Sequence, residues 1–129
     1  MEEKYLIDTN ILIYYLDNKI PESQDEKISN IIENSFNIST ISKIEILGWN
    51  KLSKEVIMKI ENFLSNANVI FIEKEIEKKS ISLKQKQKIE TPDCIIAATA
   101  MLNKMTLVTR NISDFKNIKG LKLYNPFAE

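Results

Sequence analysis

The chemically telling features of this chain are four acids, Asp8, Glu45, Asp93 and Asp114, and the complete absence of histidine. Carboxylates gathered in one place repel one another at neutral pH. Magnesium or manganese offsets that repulsion, being a hard cation that favours oxygen ligands and keeps several waters. A bound ion lowers the pKa of a water, orients it for in-line attack on phosphorus and neutralises the leaving oxygen. A chain without an imidazole acid or base fits that route. The chemistry to expect is metal-assisted cleavage of a phosphodiester.

The acids must first be brought together, and the predicted elements do so. Residues 4–7 read as a short buried strand ending at Asp8, followed by a helix through Ile11–Leu16 with Thr9 or Asn10 as its cap. That helix is apolar nearly all round, so one face should meet a sheet and another a neighbouring helix or partner. Ile28, Ile31 and Ile32 mark a second helix, and residues 36–40 a second strand. Ser42 then opens a helix carrying Glu45 in its first turn, and Val56, Ile57, Ile60, Phe63 and Leu64 give the next. Residues 69–72 form a third strand, followed by a lysine-rich helix through Ile76 and Leu83. Thr91 caps a helix with Pro92 at its first position. Residues 105–109 are a fourth strand, and residues 121–124, entered through Gly120, a fifth.

Strands alternating with helices predict an α/β fold, a mostly parallel sheet of four to five strands with helices on both faces. In such a sheet Asp8 and Asp114 follow strands and lie at the carboxyl edge. A helix that feeds a parallel strand runs antiparallel to it, so the helix starts bearing Asp93 and Glu45 belong to the same edge. Open α/β sheets bind ligands there, where strand order reverses. Each acid also has a plain structural explanation. Ser42 to Glu45 fits a capping box, Asp93 suits a helix dipole, and Asp8 and Asp114 would serve as loop acids or caps.

At 129 residues the chain fits a single domain, 1–129. Its 43% apolar and 28% charged content is that of a globular protein, which argues against disorder. No apolar run reaches the roughly 18 residues of a membrane span, and Met1-Glu2-Glu3-Lys4 does not read as a signal-peptide opening. A cytoplasmic location is expected. Cys94 is the only cysteine and reads as a small buried hydrophobe, with no histidine to activate it. Zero net charge gives no global attraction to nucleic acid. Locally, Lys84, Lys86 and Lys88, with Arg110, the only arginine, are candidate phosphate contacts, against the ordinary reading of a solvated helix face.

The motifs themselves resemble a known family. Ile7-Asp8-Thr9-Asn10, then Ser39 to Glu45, Pro92-Asp93-Cys94-Ile95-Ile96-Ala97-Ala98-Thr99-Ala100, and Leu107-Val108-Thr109-Arg110-Asn111-Ile112-Ser113-Asp114-Phe115 lie in order over nearly the whole chain. They are similar to the motifs of PIN-domain ribonucleases, especially the VapC-like toxins of type II toxin–antitoxin pairs. The resemblance implies a Rossmann-like fold, with Asp8, Glu45, Asp93 and Asp114 as the catalytic metal site. It gives Thr9, Asn10, Thr109 and Asn111 supporting hydrogen-bond roles. It further implies magnesium- or manganese-dependent RNA cleavage, a homodimer, and inhibition by an antitoxin protein covering the site. Glu90 departs from the pattern, placing an extra acid where relatives often carry a basic or apolar residue.

Two rivals stand beside this. A haloacid-dehalogenase-like phosphatase would use Asp8 as nucleophile but needs an aspartate where Asn10 stands, and no matching lysine motif is evident. A PIN-like domain that only binds RNA or protein would usually have lost acids, and all four are present.

Overall fold

The computed structural model describes residues 3–128; Met1 and Glu2, half of the opening judged unlike a signal peptide, and Glu129 lie outside them. Within that range the strands are β1 (Tyr5–Ile7), β2 (Asn37–Ser39), β3 (Asn68–Ile70), β4 (Thr106–Val108) and β5 (Leu123–Tyr124). The helices are α1 (Thr9–Leu16), α2 (Glu22–Asn34), α3 (Thr40–Leu47), α4 (Lys54–Leu64), α5 (Lys74–Lys86), α6 (Thr91–Leu102) and the short α7 (Ile112–Phe115). The sheet order is β3-β2-β1-β4-β5, and every pairing is parallel. No described helix is long and apolar enough to cross a membrane.

Alternation along the short strands divides the interior into two layers. Leu6 and Leu107 pair in register and face one core, with Ile76 and Leu83 of α5, Ile96, Ala97, Ala98 and Ala100 of α6, and Phe115 of α7. Ile7 and Val108, the next pair, face the other. There they meet Ile11 and Leu12 of α1, Ile28 and Ile31 of α2, Ile46 of α3, and Ile60 and Leu64 of α4. Helices therefore cover both faces. Each fully buried leucine or isoleucine contributes on the order of 2 kcal/mol, so a one-residue slip of β1, which would exchange Leu6 and Ile7 between layers, is strongly disfavoured.

Helix starts differ from expectation. Asp8, not Thr9 or Asn10, caps α1, and its side chain accepts from the Thr9 N–H. Ser39 caps α3 through the Ile41 N–H, so the helix begins two residues before Ser42. The Ser42–Glu45 capping box does not form, and Glu45 lies in the second turn. Glu90 rather than Thr91 is the cap residue of α6, without a side-chain cap bond. The common cause is short linkage: these helices leave the preceding strand or extended segment with no loop between, so the last extended residue becomes the cap. Phe63 of α4 is half-buried against Phe36 and Tyr15. Trp49 lies beyond the α3 C-cap Gly48 and is exposed.

Candidate active site

The strand order reverses between β1 and β4, since β2 and β3 extend the sheet to one side of β1 while β4 and β5 extend it to the other. Asp8 leaves the carboxyl end of β1 at this switch point, and Thr109 leaves β4 beside it. Asp8 is only 5% exposed. Its Oδ1 accepts the Thr9 N–H at 2.8 Å and its Oδ2 accepts the Thr109 hydroxyl at 2.7 Å. The Thr109 oxygen in turn accepts the Asn111 N–H at 3.0 Å, which shapes the turn into α7 and hence the position of Asp114. Burial raises the Asp8 carboxyl above its ordinary range; the two hydrogen bonds oppose that shift, and Glu45 and Asp114 add to it.

Thr9 does two things. Its backbone holds Asp8, and its hydroxyl donates to Glu45 Oε1 at 2.8 Å, tying the second turn of α3 to the first residue of α1. Asp93 stands half-buried in the first turn of α6. Its carboxyl is pushed up to about 6, first by burial and then by Asp114, Asp8, Glu90 and Glu45. All four expected acids therefore share one electrostatic neighbourhood, with Glu90 as a fifth contributor. Asp114 and Glu45 are the exposed members and Asp8 the buried one.

The donor set suits a hard cation, being carboxylate oxygen throughout. Beside it, Asn10 Oδ1 is a buried acceptor with no protein partner among the described residues. Also among the described residues, no three acids lie close enough to enclose one ion. An ion there would be held through one or two carboxylates, with water and substrate oxygens completing its shell. The residues fit the group.

Three comparisons give this constellation a context. The PIN domain family model matches residues 5–121. The chain belongs to the PIN domain family. Among curated relatives, this PIN domain is 30% identical to Ribonuclease VapC2 of Rickettsia felis over 136 aligned residues, 94% of this chain and 96% of that one. Among solved structures it resembles a toxin–antitoxin complex chain from Klebsiella pneumoniae, with 31% identity, a TM-score of 0.79, and 98% and 100% of the two chains covered. It also resembles a chain of VapBC2 from Rickettsia felis bound to a promoter DNA fragment, with 33% identity, a TM-score of 0.76, and 94% and 97% covered.

The candidate basic residues are dispersed. Lys84 Nζ donates to the Ile89 carbonyl at 2.9 Å, holding the loop between α5 and α6, while Lys86 and Lys88 are exposed. Arg110 rests on two aromatic rings, Tyr14 and Phe127. Nothing in the sequence pattern linked those three residues, because their segments meet only through the sheet.

Proposed function

We propose that this PIN domain is a magnesium- or manganese-dependent endoribonuclease and the toxin of a toxin–antitoxin pair. The observation that carries the reading is Asp8, buried at the switch point on two hydrogen-bond donors, with Glu45, Asp93 and Asp114 in its field. Of Asp8, Glu45, Asp93 and Asp114, one or two would hold the metal directly and the others through its waters, and divalent-metal dependence is general in the family. When bound, the ion supplies an acidified water and neutralises charge on the phosphate.

The protein's own part is positioning. Thr109 and the Thr9 amide fix the Asp8 carboxylate, and the Thr9 hydroxyl fixes Glu45, so two acids from distant segments are pre-set before substrate arrives. Asn111 keeps the Thr109 hydroxyl aimed by donating its backbone N–H to it. The relatives named above, a ribonuclease and two members of toxin–antitoxin assemblies, support RNA as substrate and an antitoxin protein as partner. A phosphatase using Asp8 as nucleophile gains no support from the relatives named above, a ribonuclease and two chains of toxin–antitoxin assemblies.

The test is cleavage of single-stranded or loop RNA with magnesium or manganese. Attack by water leaves a 5′-phosphate and a 3′-hydroxyl, whereas attack by the RNA's own 2′-hydroxyl leaves a cyclic phosphate. Activity that persists in EDTA, or products ending in cyclic phosphate, would rule the mechanism out.

A further inference from the structure

Arg110, the only arginine of the chain, leaves the carboxyl end of β4 one residue after Thr109, the residue that donates to Asp8. Its side chain is exposed, yet it does not sweep free solvent. The guanidinium carbon lies 4.3 Å from the Phe127 ring centroid and 5.2 Å from that of Tyr14. The two rings pack 4.9 Å apart at an interplanar angle of 57° and are themselves half-buried. Tyr14 belongs to α1, the helix capped by Asp8, and Phe127 to the segment after β5. Three separate stretches of chain thus build one mount for one cation, one residue along the chain from the Thr109 that bonds Asp8.

We infer that Arg110, docked on Tyr14 and Phe127, is a positioning residue that grips a backbone phosphate of the RNA strand beside the bond to be cut. The inference rests on the ribonuclease reading above. A guanidinium resting against aromatic rings is partly ordered without using its N–H donors, whose planar fork matches two oxygens of a phosphate. Its ordering precedes binding, so less side-chain freedom is lost when RNA arrives. The location supplies the need: a polyanion approaching Asp8, Glu45, Asp93 and Asp114 meets repulsion, and a fixed cation one residue past Thr109 at the same sheet edge offsets it. Lys84, by contrast, has its ammonium engaged by a carbonyl.

The experiment is steady-state cleavage of a fluorescent, unstructured RNA oligonucleotide in manganese across a range of salt. It compares wild type, Arg110→Gln, Arg110→Lys, Phe127→Leu and Phe127→Trp, all below the lowest melting temperature of the set. Arg110→Gln should raise KM about tenfold with kcat little changed, and flatten the dependence of log KM on log salt by about 0.7. Arg110→Lys should raise KM less and keep the slope, because the charge remains while the fork is lost. Phe127→Leu should raise KM severalfold without altering the slope, and Phe127→Trp should keep KM near wild type, since the aromatic support rather than the charge is what changes. An active wild type matched by Arg110→Gln in KM and slope would overturn the inference alone, leaving Arg110 as a staple between α1 and the final segment. A loss confined to kcat would overturn it equally. A wild type that cleaves no RNA in manganese would overturn the ribonuclease reading, and this inference with it.

Discussion

Asp93 is the residue at which charge, stability and chemistry meet. Its carboxyl is raised to about 6 by burial and neighbouring acids, from an ordinary value near 3.9. The folded protein therefore binds this proton more tightly than the unfolded chain does. Its contribution to stability is full at low pH and is lost as pH climbs from about 4 to about 6, because the ionised form is the one the site disfavours. Asp93→Asn removes the charge while keeping size. In EDTA its melting temperature should match or exceed that of wild type at pH 7, and the difference should shrink towards pH 4. Manganese should raise the wild-type melting temperature more at pH 7 than at pH 5, since the proton competes for the same oxygens, and should raise the mutant's much less. RNA cleavage by the mutant should be lost. Melting curves with EDTA and with manganese at the three pH values test this; a destabilised, metal-indifferent and still active Asp93→Asn would refute the metal reading of the site.

At the scale of elements, the start of α3 decides where Glu45 stands. Ser39 is both the last residue of β2 and the helix cap, its Oγ accepting the Ile41 N–H at 3.2 Å. Ser42 is fully buried, and its Oγ has no partner among the described residues. The two serines should therefore behave oppositely. Ser39→Ala should cost about 1 kcal/mol, the usual loss of a cap. Ser42→Ala should be neutral or stabilising, because it removes a buried hydroxyl that gains nothing from the fold. Denaturant melts of the two single mutants measure this directly. A Ser42→Ala loss as large as that of Ser39→Ala would mean that the buried hydroxyl is bonded after all.

The whole molecule presents an apolar surface beyond what its two cores absorb. Ile13 and Leu16 of α1, Ile44 of α3, Val56 and Met58 of α4, and Trp49 after α3 are all exposed, on helices that touch one another in the order α1, α3, α4. Exposed apolar side chains of this size on neighbouring helices suit a protein contact, and the proposed antitoxin is the partner we expect there. Trp49 is the only tryptophan and is 59% exposed, so its fluorescence reports on the surface just beyond α3. Emission should move to shorter wavelength when the antitoxin is added, and Trp49→Ala should weaken the complex. An unmoved spectrum in a complex confirmed by size would assign the antitoxin to another surface. The expected homodimer is checked by light scattering at micromolar concentration, where a monomer would count against it.

Much of this protein is decided by residue order alone. Apolar runs of strand length alternating with helical periodicity lead to a parallel sheet, because a chain that returns through a helix after every strand has no other way to pair. Once the strands are parallel, Asp8 and Asp114 after strands and Asp93 at a helix start necessarily share one edge. The caps were not legible in this way. Thr9, Ser42 and Thr91 are all sound capping residues, yet Asp8, Ser39 and Glu90 occupy the caps. A cap is set by where the backbone turns from extended to helical, and packing of the strand against its neighbours sets that point. Long-range pairings were equally hidden. Nothing local links Thr9 to Glu45, Thr109 to Asp8, or Arg110 to Tyr14 and Phe127. Those contacts exist because the sheet order β3-β2-β1-β4-β5 sets β2 and β4 on either side of β1 and β5 beside β4, and only the assembled sheet brings such distant segments within reach of a hydrogen bond or an aromatic ring.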